Sequence, residues 1–329
     1  IPLRLVGSEM CIRDRASWWL IAEEAGKPVN RDEVKKQFDA GNFKVAYDGY
    51  RKLALDAKND PKKVSEDLAM AVQSLRSLGR ISEFDELVEA TIKAHGTNWR
   101  LLRGAALQYV SVDQWGFIVA GKFERGSHRG GGKYVTSTPR DRVRALQLMQ
   151  RWRWMLTQAV EFDNSLRNEV DFGWAQFLHG QFGVQTMAWL RNDSGRDDDN
   201  DDSGPYAVHT LGDDETISKL ATGVKRLKLP AEFNSLQIYR QIFERGNDNY
   251  AKSAGDMVAQ TYEDRRQYVK AAAAWKQAIA KFGDENHRQL RLDQIVNNWG
   301  RFENLQVQPA GKGATIDLRY RNGKQIAME

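Results

Sequence analysis

The stretch AGNFKVAYDGYRKLALDAKNDP, residues 40–61, restricts what this chain can fold into more than any other part of it. Gly41, Phe43, Ala46, Tyr50 and Leu53 recur at helical spacing, with Pro61 beyond them. That pattern predicts two antiparallel helices in close contact: small residues let the backbones approach, and aromatic rings fill the gaps between them. Gly41 falls at the turn between the paired helices. A turn of that kind often needs a positive φ, which glycine alone adopts without steric cost.

The spacing matches the turn and second helix of a tetratricopeptide repeat. A second unit follows at Leu68, Val72, Leu75, Leu78, Gly79, Ile81, Phe84, Val88 and Ile92. Its turn glycine lies thirty-eight residues after Gly41, longer than the standard period, so the array is irregular. The best match is the third, where Ala259, Tyr262, Tyr268, Ala271, Trp275 and Ala278 take the expected offsets and Arg266 occupies the usual turn glycine. The expected fold is therefore mainly α, a tetratricopeptide-like α-solenoid of antiparallel helix pairs, ending in a truncated β-hairpin.

Between the repeats the pattern is helical but less regular. Arg140–Glu161 carries Ala145, Leu148, Met149, Trp152, Met155, Leu156 and Ala159 on one stripe, and Val170–Leu190 reads similarly. The polar run RNDSGRDDDNDDSGP offers no apolar residue to a core and reads as a loop. Helices are expected to resume at GDDETISKLATGVKRL, with Asp213 or Asp214 capping the first turn. After Trp299 the period becomes two: Ile316, Leu318 and Tyr320 alternate with polar residues, and Asn322-Gly323 favours a type I′ turn. The expected organisation is helical repeats over 31–125, a glycine-rich loop over 126–139 and a helical region over 140–192. An acidic loop over 193–212, helical repeats over 213–300 and the start of a truncated β-domain over 301–329 complete it.

The glycine-rich ERGSHRGGGKY lacks the spacing of a phosphate loop, with Ser127 where a glycine is required and Tyr134 where Ser or Thr is required. Counted as a calcium loop from Asp198, the acidic run puts Ser203 at the glycine position and His209 at the glutamate position, so a solvated linker is expected. In QRWRWM the Trp152 ring falls on the apolar stripe, which favours core packing over base stacking. His95, His128, His179, His209 and His287 show no metal-ligand spacing. The expectation is no catalytic residue, no cofactor and no metal. A formal charge of +5 over 329 residues gives no argument for nucleic acid, and no apolar run is long enough to span a membrane. Tyr50, Tyr262 and Trp275 are the candidate groove residues, although the repeat pattern also demands aromatics there for packing between helices.

Residues 1–15 resemble a translated sequencing adapter, carried by LVGSEMCIRD, and are set aside. With them goes Cys11, the single cysteine, and one unit of positive charge. Residues 16–30 read as a leader remnant: ASWWLIA is either the end of a secretory apolar segment or an ordinary helix start. Both ends read as truncated.

From Lys27 onward the chain resembles the amino-terminal region of large bacterial alpha-2-macroglobulin family proteins of the planctomycete kind. The stretches that carry this are PVNRDEVKKQFDAGNFKVAYDGYRKLALD, RGSHRGGGKYV, RDRVRALQLMQ, DDSGPYAVHTLGDDETI and RLDQIVNNWGRFENLQVQPAGKGATIDLRYRNGK. The relatives carry a longer stretch between Gln150 and Arg151, which marks a possible deletion seam. The resemblance implies an exported protease trap, with this region as a non-catalytic scaffold or interaction module whose partners are other domains of the same chain and, through them, a protease. The alternative is a free-standing adaptor that binds a peptide in its concave groove.

Overall fold

The structure is a computed structural model that describes residues 29–159, 164–182, 207–220, 223–285, 287–302, 311, 316–323 and 325. It is mainly helical with small antiparallel sheets, and successive helices pack on one another in a way consistent with a helical solenoid. The chain divides into two compact units, Ile1–Trp152 and Arg153–Glu329. The adapter-like segment, the leader-like segment up to Pro28 and most of the acidic loop lie outside the described residues.

In the first unit α1 (Arg31–Asp39) starts where the Asn30 side chain accepts from the main-chain N–H groups of Asp32 and Glu33, at 3.0 and 3.4 Å. α2 (Phe43–Leu55) turns back through Gly41, at φ 79°. α3 (Val64–Ser77) ends in Gly79, at φ 67°, before a 3₁₀ turn (Ile81–Glu83) and α4 (Phe84–Ala94). Both glycines adopt the left-handed conformation expected of them. α5 (Trp99–Ser111) closes the helical layer, with Ala46, Ala54, Ala71, Ala105 and Ala106 fully buried. The rings of Phe84 and Tyr109 meet edge-on, 5.3 Å between centroids.

A three-stranded antiparallel sheet follows, with β1 (Trp115–Val119) between β2 (Lys122–Arg125) and β3 (Lys133–Thr136). Two expectations are corrected here. The region 31–125 is not helical throughout, and 126–139 is not a loop throughout, because β3 and the start of α6 (Thr138–Ala159) lie within it. The cause is local: Trp115-Gly116-Phe117-Ile118-Val119 is rich in aromatic and branched side chains, and Ala120-Gly121, at φ 48° and 80°, makes a two-residue turn with both central residues left-handed. α6 runs unbroken through Gln150 and Arg151. It buries Trp152 and exposes Trp154, as the apolar stripe predicts.

The sheet is tied to the helices by one buried guanidinium. Arg125 donates to Asp85 of α4 at 3.1 and 3.0 Å and to Asp141 of α6 at 2.8 and 2.9 Å, with its side chain fully buried. A further bond reaches the Asp113 carbonyl at 2.7 Å, and the Phe84 ring covers the group at 5.0 Å. Burial works against the charge on Arg125, but the two carboxylates outweigh it and raise its pKa. Burial likewise opposes the charge on Asp141, whose pKa is nevertheless lowered by Arg125 and the Ser137 hydroxyl.

In the second unit α7 (Asn164–Phe182) buries Trp174, which donates to the Glu232 carbonyl at 2.8 Å. The chain then forms a hairpin of β4 (Glu215–Leu220) and β5 (Gly223–Lys228), in register from Glu215 opposite Lys228 to Leu220 opposite Gly223. This corrects the helix expected at 213–228, and neither Asp213 nor Asp214 caps one. Branched Thr216 and Ile217 are buried, side chains that favour a strand. Helices do resume as α8 (Ser235–Arg245), α9 (Asn249–Asp264), α10 (Tyr268–Phe282) and α11 (Arg288–Val296). Between α9 and α10, Arg266 takes φ 54°, the conformation that glycine holds at the earlier turns. Arg288 donates to Asp256 at 2.6 and 3.0 Å, pinning α11 to α9.

β6 (Trp299–Phe302) pairs with β7 (Leu318–Arg321), so the alternating strand has its described partner upstream. Asn322 takes the positive φ expected of Asn-Gly, and its side chain donates to the Ile295 carbonyl at 2.8 Å. No described helix is long and apolar enough to cross a membrane.

Two measurements follow. Arg266→Gly relieves a left-handed non-glycine residue and should stabilise the protein by about 1 kcal/mol in urea denaturation, whereas Gly41→Ala should cost a similar amount. Arg125→Met leaves Asp85 and Asp141 with only the half-exposed Arg140 as a cation and should cost about 3 kcal/mol on the same assay.

Candidate functional site

A depression of about 320 Å³ in the second unit is walled by α8, α9 and α10. Arg240, Phe243, Val258, Tyr262 and Lys270 line it, and Ala273 and Ala274 form an apolar side. Gly255 sets its depth. A Cβ at that position would stand 2.6 Å from the Phe243 ring, so α8 and α9 approach as closely as they do because no side chain intervenes.

The chain itself borders the cleft through Asp213, whose carboxylate meets Arg240, Lys270 and Tyr262 of the wall. The segment from His209 to Glu215, which leads into β4, lies along the ends of the helices and is held by its main chain. Gln267 donates to the carbonyls of His209 and Leu211 at 3.1 and 2.7 Å. Arg265 donates to those of Gly212 and Glu215 at 3.0 and 3.1 Å, and Asn234 to that of Asp213 at 2.7 Å. Arg265 and Gln267 stand at the α9–α10 turn, and Asn234 also caps α8, so the helix ends supply the donors. Such bonds grip a backbone irrespective of its side chains.

The Asp213 carboxylate closes the arrangement. It lies 2.9 Å from Arg240 and 3.0 Å from Lys270, and accepts from the Tyr262 hydroxyl at 3.2 Å. Arg240 bonds the same hydroxyl. Burial alone would raise the Asp213 pKa; Lys270, Arg240 and Tyr262 outweigh it and hold the carboxyl below its ordinary value. Burial, with Asp213 beside it, pushes the Tyr262 hydroxyl up to about 12, so it stays protonated and donates.

The three candidate groove residues have different fates. Tyr262 lines the cleft through its hydroxyl while its ring is buried. Trp275 lies in the core with Ala259 and Leu292, its indole N–H donating to Glu263 at 2.6 Å. Tyr50 is buried in the first unit. Sequence reasoning missed Arg240, Arg265, Gln267 and Lys270, which carry no motif, and it assigned Asp213 to a helix cap. A smaller cleft in the first unit, about 180 Å³, is lined by Tyr47, Arg51, Arg80 and Glu83. There Tyr47 donates to Glu83 at 3.1 Å and Arg80 pairs with Glu83 at 2.7 Å.

Other candidates resolve into packing. His95 bonds the Ala54 carbonyl at 3.0 Å, and His128 pairs with Glu124 at 2.9 Å beside the glycine-rich loop. Among the described residues no group of three or more His, Cys, Asp or Glu side chains is placed to hold a metal ion, and residues 198–202 of the acidic run lie outside them. Comparison with family models, with curated proteins and with solved structures returns no match.

Trp275→Ala should lower unfolding free energy by about 3–5 kcal/mol through the cavity it leaves. A loss of binding with stability intact would instead make the ring a ligand contact. Because the Asp213 carboxyl is held low, its ion pairs contribute above its ordinary value near 3.8 and are lost as pH falls through the folded value. Relative to Asp213→Asn, the wild-type stability advantage should therefore vanish in acid, measured by denaturation at pH 6 and pH 2.

Proposed function

We propose that this chain is a non-catalytic helical-repeat scaffold, of tetratricopeptide type, at the amino-terminal end of an exported bacterial protease inhibitor of the alpha-2-macroglobulin family. The observation that carries the interaction role is the main-chain grip on residues 209–215 by Arg265, Gln267 and Asn234. Side chains at helix junctions that hold a neighbouring segment by its carbonyls are suited to holding protein, not to turning over a small molecule. The repeat assignment is supported by the left-handed residues at 41, 79 and 266, each at the turn where the pattern places it. The inhibitor assignment is supported by the stretches of sequence resemblance, above all RLDQIVNNWGRFENLQVQPAGKGATIDLRYRNGK. Its partners are then other domains of the same chain and, through them, a trapped protease.

The same grip also favours a second reading, a free-standing adaptor that takes a peptide from another protein. Recovery of the complete reading frame separates the two. Continuation beyond Glu329 into repeated β-sandwich domains is the expected result. A stop codon shortly after Glu329 would overturn the inhibitor assignment in favour of the adaptor.

A further inference from the structure

We propose that Asp213, in the turn that leads into β4, is a tethered ligand at the rim of the α8–α10 cleft, and that a peptide bearing a carboxylate beside an apolar side chain binds there by taking the place of Asp213. This deepens the interaction role and rests on it.

The open cleft adjoins the seat of the Asp213 carboxylate. Tyr262, Arg240 and Lys270 hold Asp213 and are at the same time walls of the open depression. A carboxylate placed at Asp213 therefore sits at the threshold of about 320 Å³ of space, beyond which lie Val258, Ala273 and Ala274. Alanine and glycine leave that space open, and a leucine-sized side chain fits its chemistry. Glu244 stands in the wall as well, and its charge orients an acidic peptide with its carboxylate toward Arg240 and Lys270.

The contacts that hold Asp213 are of a kind that exchanges. Arg240 and Lys270 are 39% and 48% exposed at the side chain, and Asp213 is 29% exposed, so both cations are reachable from solvent while they are paired. Ion pairs this exposed hold weakly. What keeps Asp213 in place is its tether, which presents it at an effective concentration of about millimolar. A partner must outcompete that concentration, so Asp213 sets the affinity threshold of the cleft.

The test uses the full chain and fluorescence anisotropy with labelled peptides. One probe is amidated Leu-Gly-Asp-Asp, copying residues 211–214, and a second is Leu-Gly-Asn-Asn with a free carboxyl terminus. A third, amidated Leu-Gly-Asn-Asn, carries no carboxylate. Asp213→Asn should bind one of the first two at least about tenfold more tightly than wild type, since the internal competitor is gone. Which of the two binds identifies a side-chain or a terminal carboxylate as the source, and adding Lys270→Glu should abolish the gain. Equal binding of the third probe, or no saturable binding by an Asp213→Asn variant of wild-type helicity, overturns the proposal. Should Asp213→Asn fail to fold, wild type titrated to about millimolar peptide decides. Saturable binding weakened at least about fivefold by Lys270→Ala, a change at a half-exposed side chain, supports the proposal, and no saturation overturns it. Failure here leaves the inhibitor assignment standing, because that assignment is decided by the reading frame alone.

Discussion

Close approach of paired helices is the constraint on which the rest of this molecule depends. Ala46, Ala54 and Ala71 in one unit and Ala254, Ala259, Ala271 and Ala278 in the other have no exposed surface. At positions packed that tightly a larger side chain forces neighbouring rotamers and backbone apart, at about 1–3 kcal/mol for each overpacked site. The gaps that alanine leaves are filled by a few large rings, among them Phe84, Tyr109 and Trp275, whose polar ends reach a partner where they have one: Tyr109 donates to Glu89 at 2.7 Å and Trp275 to Glu263 at 2.6 Å. The aromatics most conspicuous in the sequence are thereby committed to cohesion. The polar contacts to residues 209–215 come instead from less conspicuous residues at the helix ends.

Arginine performs the second structural task, which is to fix the less regular pieces against the helices. Arg125 joins the three-stranded sheet to α4 and α6, Arg288 joins α11 to α9, and Arg31 joins α1 to α3 through two bonds of 2.8 Å to Asp67. In each case a planar fork meets a carboxylate with two parallel hydrogen bonds, a geometry that a lysine ammonium cannot reproduce. Desolvation offsets much of the energy such pairs release, so their main effect is positional: a guanidinium at Arg125 admits one placement of the sheet, the one that satisfies Asp85 and Asp141 together. Carboxylate-rich clusters that in isolation suggest acid–base chemistry are here engaged in holding elements together.

The helical part of the fold was legible because its signal is local and redundant. Turn residues at 41, 79 and 266, buried alanines and the stripe through Trp152 each report the same helix pairs, and even Arg266 obeys the backbone geometry of a position where its identity argues against it. The sheets were missed for identifiable reasons. At 215–228 the acidic pair before Glu215 imitates a helix start, and the strands are too short for alternation to outweigh it. At 115–125 the turn is Ala120-Gly121, which lacks the usual Asn-Gly or Asp-Gly signature although it takes the same left-handed conformation. The cleft was legible only through Tyr262. Arg240, Arg265, Gln267 and Lys270 meet one segment from two helices, α8 and α10, and from the turn between α9 and α10, and no spacing along the chain encodes that convergence.

Asp213 shows why one physical property supported two different structures. A carboxylate that precedes a run of helix-compatible residues seeks donors, and the free N–H groups of a first helical turn are the nearest set that sequence can supply. In the folded chain the donors come from Lys270, Arg240 and Tyr262 instead. They are stronger, since two of them carry charge, but they exist only once α8, α9 and α10 have assembled. The seat is therefore a property of the helix ends and not of the hairpin that follows. It holds its occupant by backbone carbonyls at Arg265, Gln267 and Asn234 and by one carboxylate at Arg240 and Lys270, and the turn at Asp213-Asp214 presents both together.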